Sequence, residues 1–125
     1  MIVIFGELYS SKNSKRIVHF GNRPALISSK AYMASIKPIE QQLVLNRYKW
    51  LKEIENASKP LKIAFKIYRK TKRKFDYQNI LAGFSDMLVR CGWLIDDNAD
   101  EFLPVYVQYE VDKNNPRVEI SLINQ

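Results

Sequence analysis

Between residues 61 and 92 the hydrophobic period of the chain changes once, and that change restricts the fold more than any other feature. In "LKIAFKIYRK", apolar Leu61, Ile63, Phe65 and Ile67 alternate with Lys62, Ala64, Lys66 and Tyr68, the period of two that a half-buried strand requires. Further on, Ile80, Leu81, Phe84, Met87, Leu88 and Cys91 fall at i, i+1, i+4, i+7, i+8 and i+11, one stripe of a helix that Gly92 can close. A strand followed directly by an amphipathic helix places the chain in the mixed α/β (α+β) class.

The flanking segments extend that unit. "MIVIFGEL" is apolar and β-branched enough for a buried strand, "SSKNSK" is a polar loop, and "RIVHF" and "PALIS" about the "GNRP" turn predict a ribbon over residues 16–28. From Ser29 the spacing of Ile36, Ile39, Leu43, Trp50 and Ile54 is helical, with Pro38 starting or kinking the main helix. "DDNADE" reads as a loop, and "FLPVYVQYEV" and "RVEISLI", separated by "DKNNP", read as a closing strand pair. The expected architecture is a small mixed β-sheet with two main helices in the order β-β-β-α-β-α-β-β. With 125 residues and 46% apolar content, one domain spanning 1–125 accommodates all of it.

A single cysteine, Cys91, within the apolar helical stripe reads as a core residue of a protein from a reducing compartment. No apolar run approaches the length of a membrane span, and "MIVIFGELYSSK" lacks the regions of a secretion signal, so a cytoplasmic location without a membrane partner is expected. His19 is the only histidine, leaving little for a Ser/His/Asp or Cys/His nucleophilic site; zinc-ligand spacings, G-x-G-x-x-G and a Walker loop are missing from the sequence.

The net charge of +7 conceals a division: residues 1–74 hold 17 Lys and Arg against 4 acids, a balance of +13, and residues 75–125 hold 3 bases against 9 acids, a balance of −6. The steepest point is "KIYRKTKRKFDYQNI", with six cations in its first nine positions and a carboxylate, Asp76, straight after them. Such a run suits a polyanion, since each neutralised phosphate releases condensed counterions; its bland alternative is a solvated surface. Arg69, Lys70, Lys72, Arg73 and Lys74 are the candidate polyanion contacts, joined by Lys12, Lys15 and Arg16 of the earlier loop and ribbon. Tyr68 and Phe75 could stack on exposed bases, although aromatic residues at such positions are more often core.

The acids fall at both ends of the second helix, with Asp76 opening it and Asp96, Asp97, Asp100 and Glu101 beyond its end. Along a helix of about 16 residues they stand roughly 24 Å apart, so they can meet only if the following loop doubles back or if they converge across a dimer. Asp76 is also a good N-cap, and "DDNAD" resembles an ordinary polar turn. Converged carboxylates would suit Mg²⁺ or Mn²⁺.

The stretch "KFDYQNILAGFSDMLVRCGWLIDDNADEF" resembles the RusA-type Holliday junction resolvases, whose signature is Asp-x-Asp-Asn opening a helix, then a glycine and aromatic pair, then Asp-Asp. Asp76, Asn79, Asp86, Gly92, Trp93, Asp96 and Asp97 fall in that pattern. "YSSKNSKR", "LISSKAY" and "NNPRVEISL" are similar to the family's early loop, helix start and closing strand, so the resemblance covers most of the chain and is specific over residues 74–101. It implies a homodimer that binds branched, four-way DNA and hydrolyses phosphodiesters with Mg²⁺ (or Mn²⁺), with Asp76 and Asp97 as metal carboxylates. Two positions depart: the family's second acid is Gln78 and its helical lysine is Ala82. Gln78 offers a carbonyl oxygen but no charge, so Asp96 or Asp100 is the expected replacement. Three functions follow: an active nuclease built on Asp76, Asp97 and that replacement; a junction-binding module with a decayed site; and, more remotely, a basic protein that binds RNA or ribosomes.

Overall fold

The sheet is built around β4 (Leu61–Arg69). In the computed structural model, which describes residues 1–10, 15–28 and 30–123, it is preceded by β1 (Ile2–Phe5), β2 (Lys15–Phe20), β3 (Arg23–Ser28) and α1 (Lys30–Ile54), and followed by α2 (Tyr77–Arg90), β5 (Phe102–Tyr106), β6 (Glu110–Val111) and β7 (Arg117–Leu122). The fold is mixed α+β, with a five-stranded sheet in the order β1-β7-β4-β5, β6 pairing with the far end of β4, and a separate two-stranded sheet β2-β3. β4 runs antiparallel to β7 and parallel to β5 and β6, and α2 is the crossover that a parallel β4–β5 pair needs. The expected ribbon is present, with register Lys15↔Ser28 through Phe20↔Arg23. Among the described residues, no helix is long and apolar enough to cross a membrane.

Two expectations are corrected. The closing strands do not pair with each other: β7 enters between β1 and β4, and the strand expected over "FLPVYVQYEV" is divided into β5 and β6 on the other side of β4. Pro104 lacks an N–H and suits β5 to the sheet edge, whereas β7, with no proline inside it, pairs with β1 on one flank and β4 on the other. "DKNNP" therefore carries the chain past the end of β4, where the Asp112 N–H donates to the Arg69 carbonyl (2.8 Å). The main helix also runs from Lys30 through Pro38, so of the two roles expected for that proline, starting or kinking the helix, the first is excluded.

One face of the sheet holds the core. Leu61, Ile63, Phe65 and Ile67 of β4 join Ile2 and Ile4, Val118 and Ile120, and Phe102, all roofed by Ile39, Leu43 and Trp50 of α1 and by Ile80, Leu81, Phe84, Met87 and Leu88 of α2. The periodic residues of both sequence stripes thus point where their spacing requires, and Cys91 is buried and free as expected.

The end of α2 decides where the acidic loop goes. Gly92, at φ +81°, takes the left-handed conformation that closes the helix; its N–H donates to Val89 (3.1 Å) and that of Trp93 to Leu88 (2.8 Å). A Cβ at Gly92 would lie 3.1 Å from Arg47 Cδ. The turn delivers Trp93 onto Trp50, with ring centroids 4.9 Å apart and planes 14° from parallel. Each buried indole finds an acceptor: Trp50 Nε1 donates to the Trp93 carbonyl (3.0 Å) and Trp93 Nε1 to the Leu43 carbonyl (2.7 Å). A buried indole N–H needs such a partner, so the pair fixes α1 to the turn after α2 in one geometry.

Replacing Trp93 by Ala should cost about 3–5 kcal/mol in urea denaturation, and by Phe about 1–3, because Phe keeps a stacked ring but loses the indole's hydrogen bond to the Leu43 carbonyl. Equal losses for both variants would remove the hydrogen bond from this account.

Candidate functional site

Period-two alternation decides which cations of the basic run are free. Arg69 lies on the same face of β4 as Leu61, Ile63, Phe65 and Ile67, and only 8% of it is exposed. A desolvated guanidinium needs partners. Nη1 donates to the Leu8 carbonyl (2.9 Å), Nε stands 3.3 Å from Glu7 Oε1 in an ionic contact that is not a directed hydrogen bond, and Cζ lies 4.6 Å over the Phe75 ring. Arg69 is therefore corrected from a polyanion contact to an internal brace. The other Glu7 oxygen accepts the Lys70 N–H (2.9 Å), which ties the start of the basic loop to the segment after β1.

Beyond that brace, Lys70, Thr71, Lys72, Arg73 and Lys74 are all exposed. Lys70, Arg73 and Lys74 line a cleft of about 510 Å³ whose other walls include Glu7, Tyr9, Ser10, Ala31 and the start of α2. Lys72 is exposed but not on the cleft wall. Lys12 lies outside the described residues; Lys15 and Arg16 are on β2, and their side chains are outside the description as well.

Asp76 closes this cleft as the N-cap of α2, its Oδ1 accepting the Gln78 N–H at 2.9 Å. The structural reading of this residue holds, and the carboxylate is still exposed beside three cations. On its other side an aromatic cluster ties the loop to β5 and β6. Phe75 meets Tyr77 and Tyr109 edge-on, Tyr77 stacks on Tyr106 at 5.1 Å, and Tyr77 Oη accepts the Tyr109 N–H (2.9 Å). Phe75 is thereby a packing residue rather than a free stacking platform.

A second cleft, of about 210 Å³, lies on the flank of α2. Gln78, Ala82 and Ser85, at i, i+4 and i+7, form one wall, and Asp97, Pro104 and Tyr106 face them. Asp97 is there because the turn at Gly92 and Trp93 sends the chain back along the helix, bringing its Oδ2 to 3.5 Å from Ser85 Oγ. The two departures from the resolvase pattern, Gln78 and Ala82, thus stand opposite Asp97 in one small cleft. Tyr106, on the wall of the second cleft, feels the acid of the first: partial burial first, and the Asp76 carboxylate second, push its phenol above the ordinary tyrosine range.

The remaining acids are drawn elsewhere. Asp96 is used within its own turn, Oδ1 accepting the Asp97 N–H (2.7 Å) and Oδ2 the Asn98 side chain (3.2 Å). Asp100 is exposed, its N–H donating to Asn98 Oδ1 (3.0 Å). Among the described residues no three His, Cys, Asp or Glu side chains form a group that could hold a metal ion, so the expected trio of Asp76, Asp97 and Asp96 or Asp100 is not assembled. Of the two routes expected for the acids, the chain doubles back, but only as far as the flank of α2. What is available is two carboxylates at adjoining clefts, an amide oxygen and two hydroxyls, all hard oxygen donors. Glu7, Ser85 and Tyr106 were not legible as site residues; only Ser85 carried a signal, its helical spacing from Gln78. Compared with known proteins, the chain matches no family model and no curated sequence.

Two outcomes check this geometry. Arg69→Ala should cost about 3–5 kcal/mol by leaving Glu7 and the Leu8 carbonyl without their partner, while Lys72→Ala should change stability by no more than about 0.5. Asp76→Asn should lower the ionisation midpoint of Tyr106, followed by NMR of carbon-13-labelled tyrosine, without restoring the ordinary value, since burial persists. A neutral protonated form is the one favoured, so this residue's contribution to stability is complete below the unfolded tyrosine range and fades as pH rises through the folded midpoint.

Proposed function

We propose that the chain is a Mg²⁺-dependent, structure-specific endodeoxyribonuclease of the RusA type, acting as a cytoplasmic homodimer on four-way DNA junctions in recombination and repair. The observation that carries this reading is the return of Asp97 to the flank of α2, where it meets Gln78 and Ala82 beside a cleft lined by Lys70, Arg73 and Lys74. Three sites to which the resemblance assigns chemistry lie in one cleft, and a fourth, Asp76, adjoins it.

Lys70, Arg73 and Lys74 hold backbone phosphates on approach to Asp76, and Lys72 adds charge from the rim. The donor set fits a hard cation that keeps several waters and binds through one or two carboxylates plus substrate phosphate, with Asp76, Asp97 and Gln78 Oε1 as the protein's contribution. When bound, Mg²⁺ supplies polarisation of the phosphoryl oxygens and a more acidic attacking water. Asp97 would accept a proton from an attacking water, with the Ser85 hydroxyl, 3.5 Å from its Oδ2, orienting the carboxylate. Tyr106 remains protonated at neutral pH and offers a hydrogen bond to a phosphate oxygen. With one acid and one lysine fewer than the family pattern, catalysis is expected to be slow.

A second reading, a junction-binding module without turnover, is favoured by the absence of a three-acid group among the described residues and by the use of Asp76 Oδ1 as a helix cap. Nicking of an immobile four-way junction separates the two. Asp97→Asn should lower Mg²⁺-dependent cleavage by at least about 100-fold while leaving junction affinity within a few-fold, and Gln78→Asp should raise the rate. Tight binding with no cleavage in Mg²⁺ or Mn²⁺ by the unmodified chain would establish the module instead. Neutralising Lys72 and Lys74 together should weaken binding and lower its salt slope by about 2; an unchanged slope would move the phosphate contacts elsewhere.

A further inference from the structure

α1 is apolar on two opposite sides. Ile39, Leu43 and Trp50 face the core, whereas Leu45 and Tyr48 are 82% and 74% exposed, with Val44 and Leu51 exposed beside them. A contiguous exposed apolar patch of this kind is unusual on a monomeric protein surface and marks a contact. The outward stripe Lys37, Gln41, Val44, Tyr48, Leu51 and Glu55 steps by four, three, four, three and four, the 3.5-residue period of a two-helix seam. Glu55 belongs to the turn that prolongs α1, its N–H donating to the Lys52 carbonyl (3.4 Å).

The stripe is also complementary to itself when reversed. Inversion about Asn46 places Val44 on Tyr48, Gln41 on Leu51 and Lys37 on Glu55, an apolar centre with a cation at one end and an anion at the other. Leu45, the most exposed apolar side chain of α1, lies one residue from the inversion point. In a parallel pair these charges would face their like.

We infer that α1 packs antiparallel against α1 of a second copy of this chain, about a two-fold axis at Asn46, with Lys37 paired to Glu55 at each end. A symmetric dimer requires a patch that is complementary to its own copy, and this one is. The ion pair that Glu55 makes with Lys52 within the chain (3.9 Å, both exposed) is weak enough to yield. From the proposed function the inference takes only the second copy as occupant; the cleavage chemistry plays no part in it.

Sedimentation equilibrium of the full chain, without DNA or Mg²⁺, tests it separately from any nuclease assay. The expected result is a dimer for the unmodified chain and a monomer for Tyr48→Glu, with helix content unchanged by circular dichroism. Lys37→Glu and Glu55→Lys should each raise the dimer dissociation constant by about tenfold or more, since each converts two attractive ends into repulsive ones. Mixing the two variants recreates opposite charges at both ends and should restore the original affinity. A monomeric unmodified chain, a dimer that survives Tyr48→Glu, or a mixture no tighter than its components would overturn the inference. Loss of junction binding by Tyr48→Glu from a chain that was monomeric throughout would assign the face to nucleic acid instead. Absence of nicking would leave the inference standing.

Discussion

The stacked pair Trp50 and Trp93 is the contact on which the candidate site depends. α2 carries its acids at opposite ends, and nothing along the helix can bring them together. The chain must reverse, and it does so within two residues because Gly92 tolerates the left-handed turn and Trp93 is held on both its ring face and its N–H. Both indoles give their hydrogen bonds to backbone carbonyls, so the arrangement binds main chain to main chain across the core. The reversed segment then has one path, and Asp97 arrives beside Ser85.

A second constraint comes from β4. Its alternation turns Arg69 inward and leaves the next five residues outside, so one strand separates the cation that braces the fold from those that can meet a polyanion. The inward arginine is tolerable only because Glu7 and the Leu8 carbonyl meet it from the segment after β1, and the same Glu7 anchors Lys70. Elsewhere on the open face of the sheet, charges cancel locally: Lys66 pairs with Glu110, and Arg117 with Asp112 and Glu119. What is left uncompensated collects at one end of β4, next to the N-terminus of α2.

The elements with strong periodicity were legible in sequence. β4, both helices and the β2-β3 ribbon follow from hydrophobic spacing and turn residues, and Asp76 from the chemistry of N-caps. Strand pairing was not, because neighbours in sequence are the default partners for short strands, and only the edge preference of Pro104 opposes that default. Strand order also decides what reaches the site. With β5 misplaced, Tyr106 could not be seen between Asp76 and Asp97, and Arg69 was counted with its exposed neighbours although its parity in β4 already put it inside. Asp96 and Asp100 are attractive as replacement ligands on charge alone, but the turn uses both carboxylate oxygens of Asp96 on Asp97 and Asn98, and Asp100 stands exposed, outside both clefts.

The proposed nuclease requires Asp97 and Asp76 to serve one divalent ion. Titration of the full chain with Mn²⁺, followed by paramagnetic broadening of assigned amide resonances, tests this most directly. The broadening should centre on Gln78, Ser85 and Asp97, extend to Asp76, and vanish in the Asp97→Asn variant. Broadening centred instead on the acidic residues of β6 and β7, or an unchanged pattern in that variant, would contradict it.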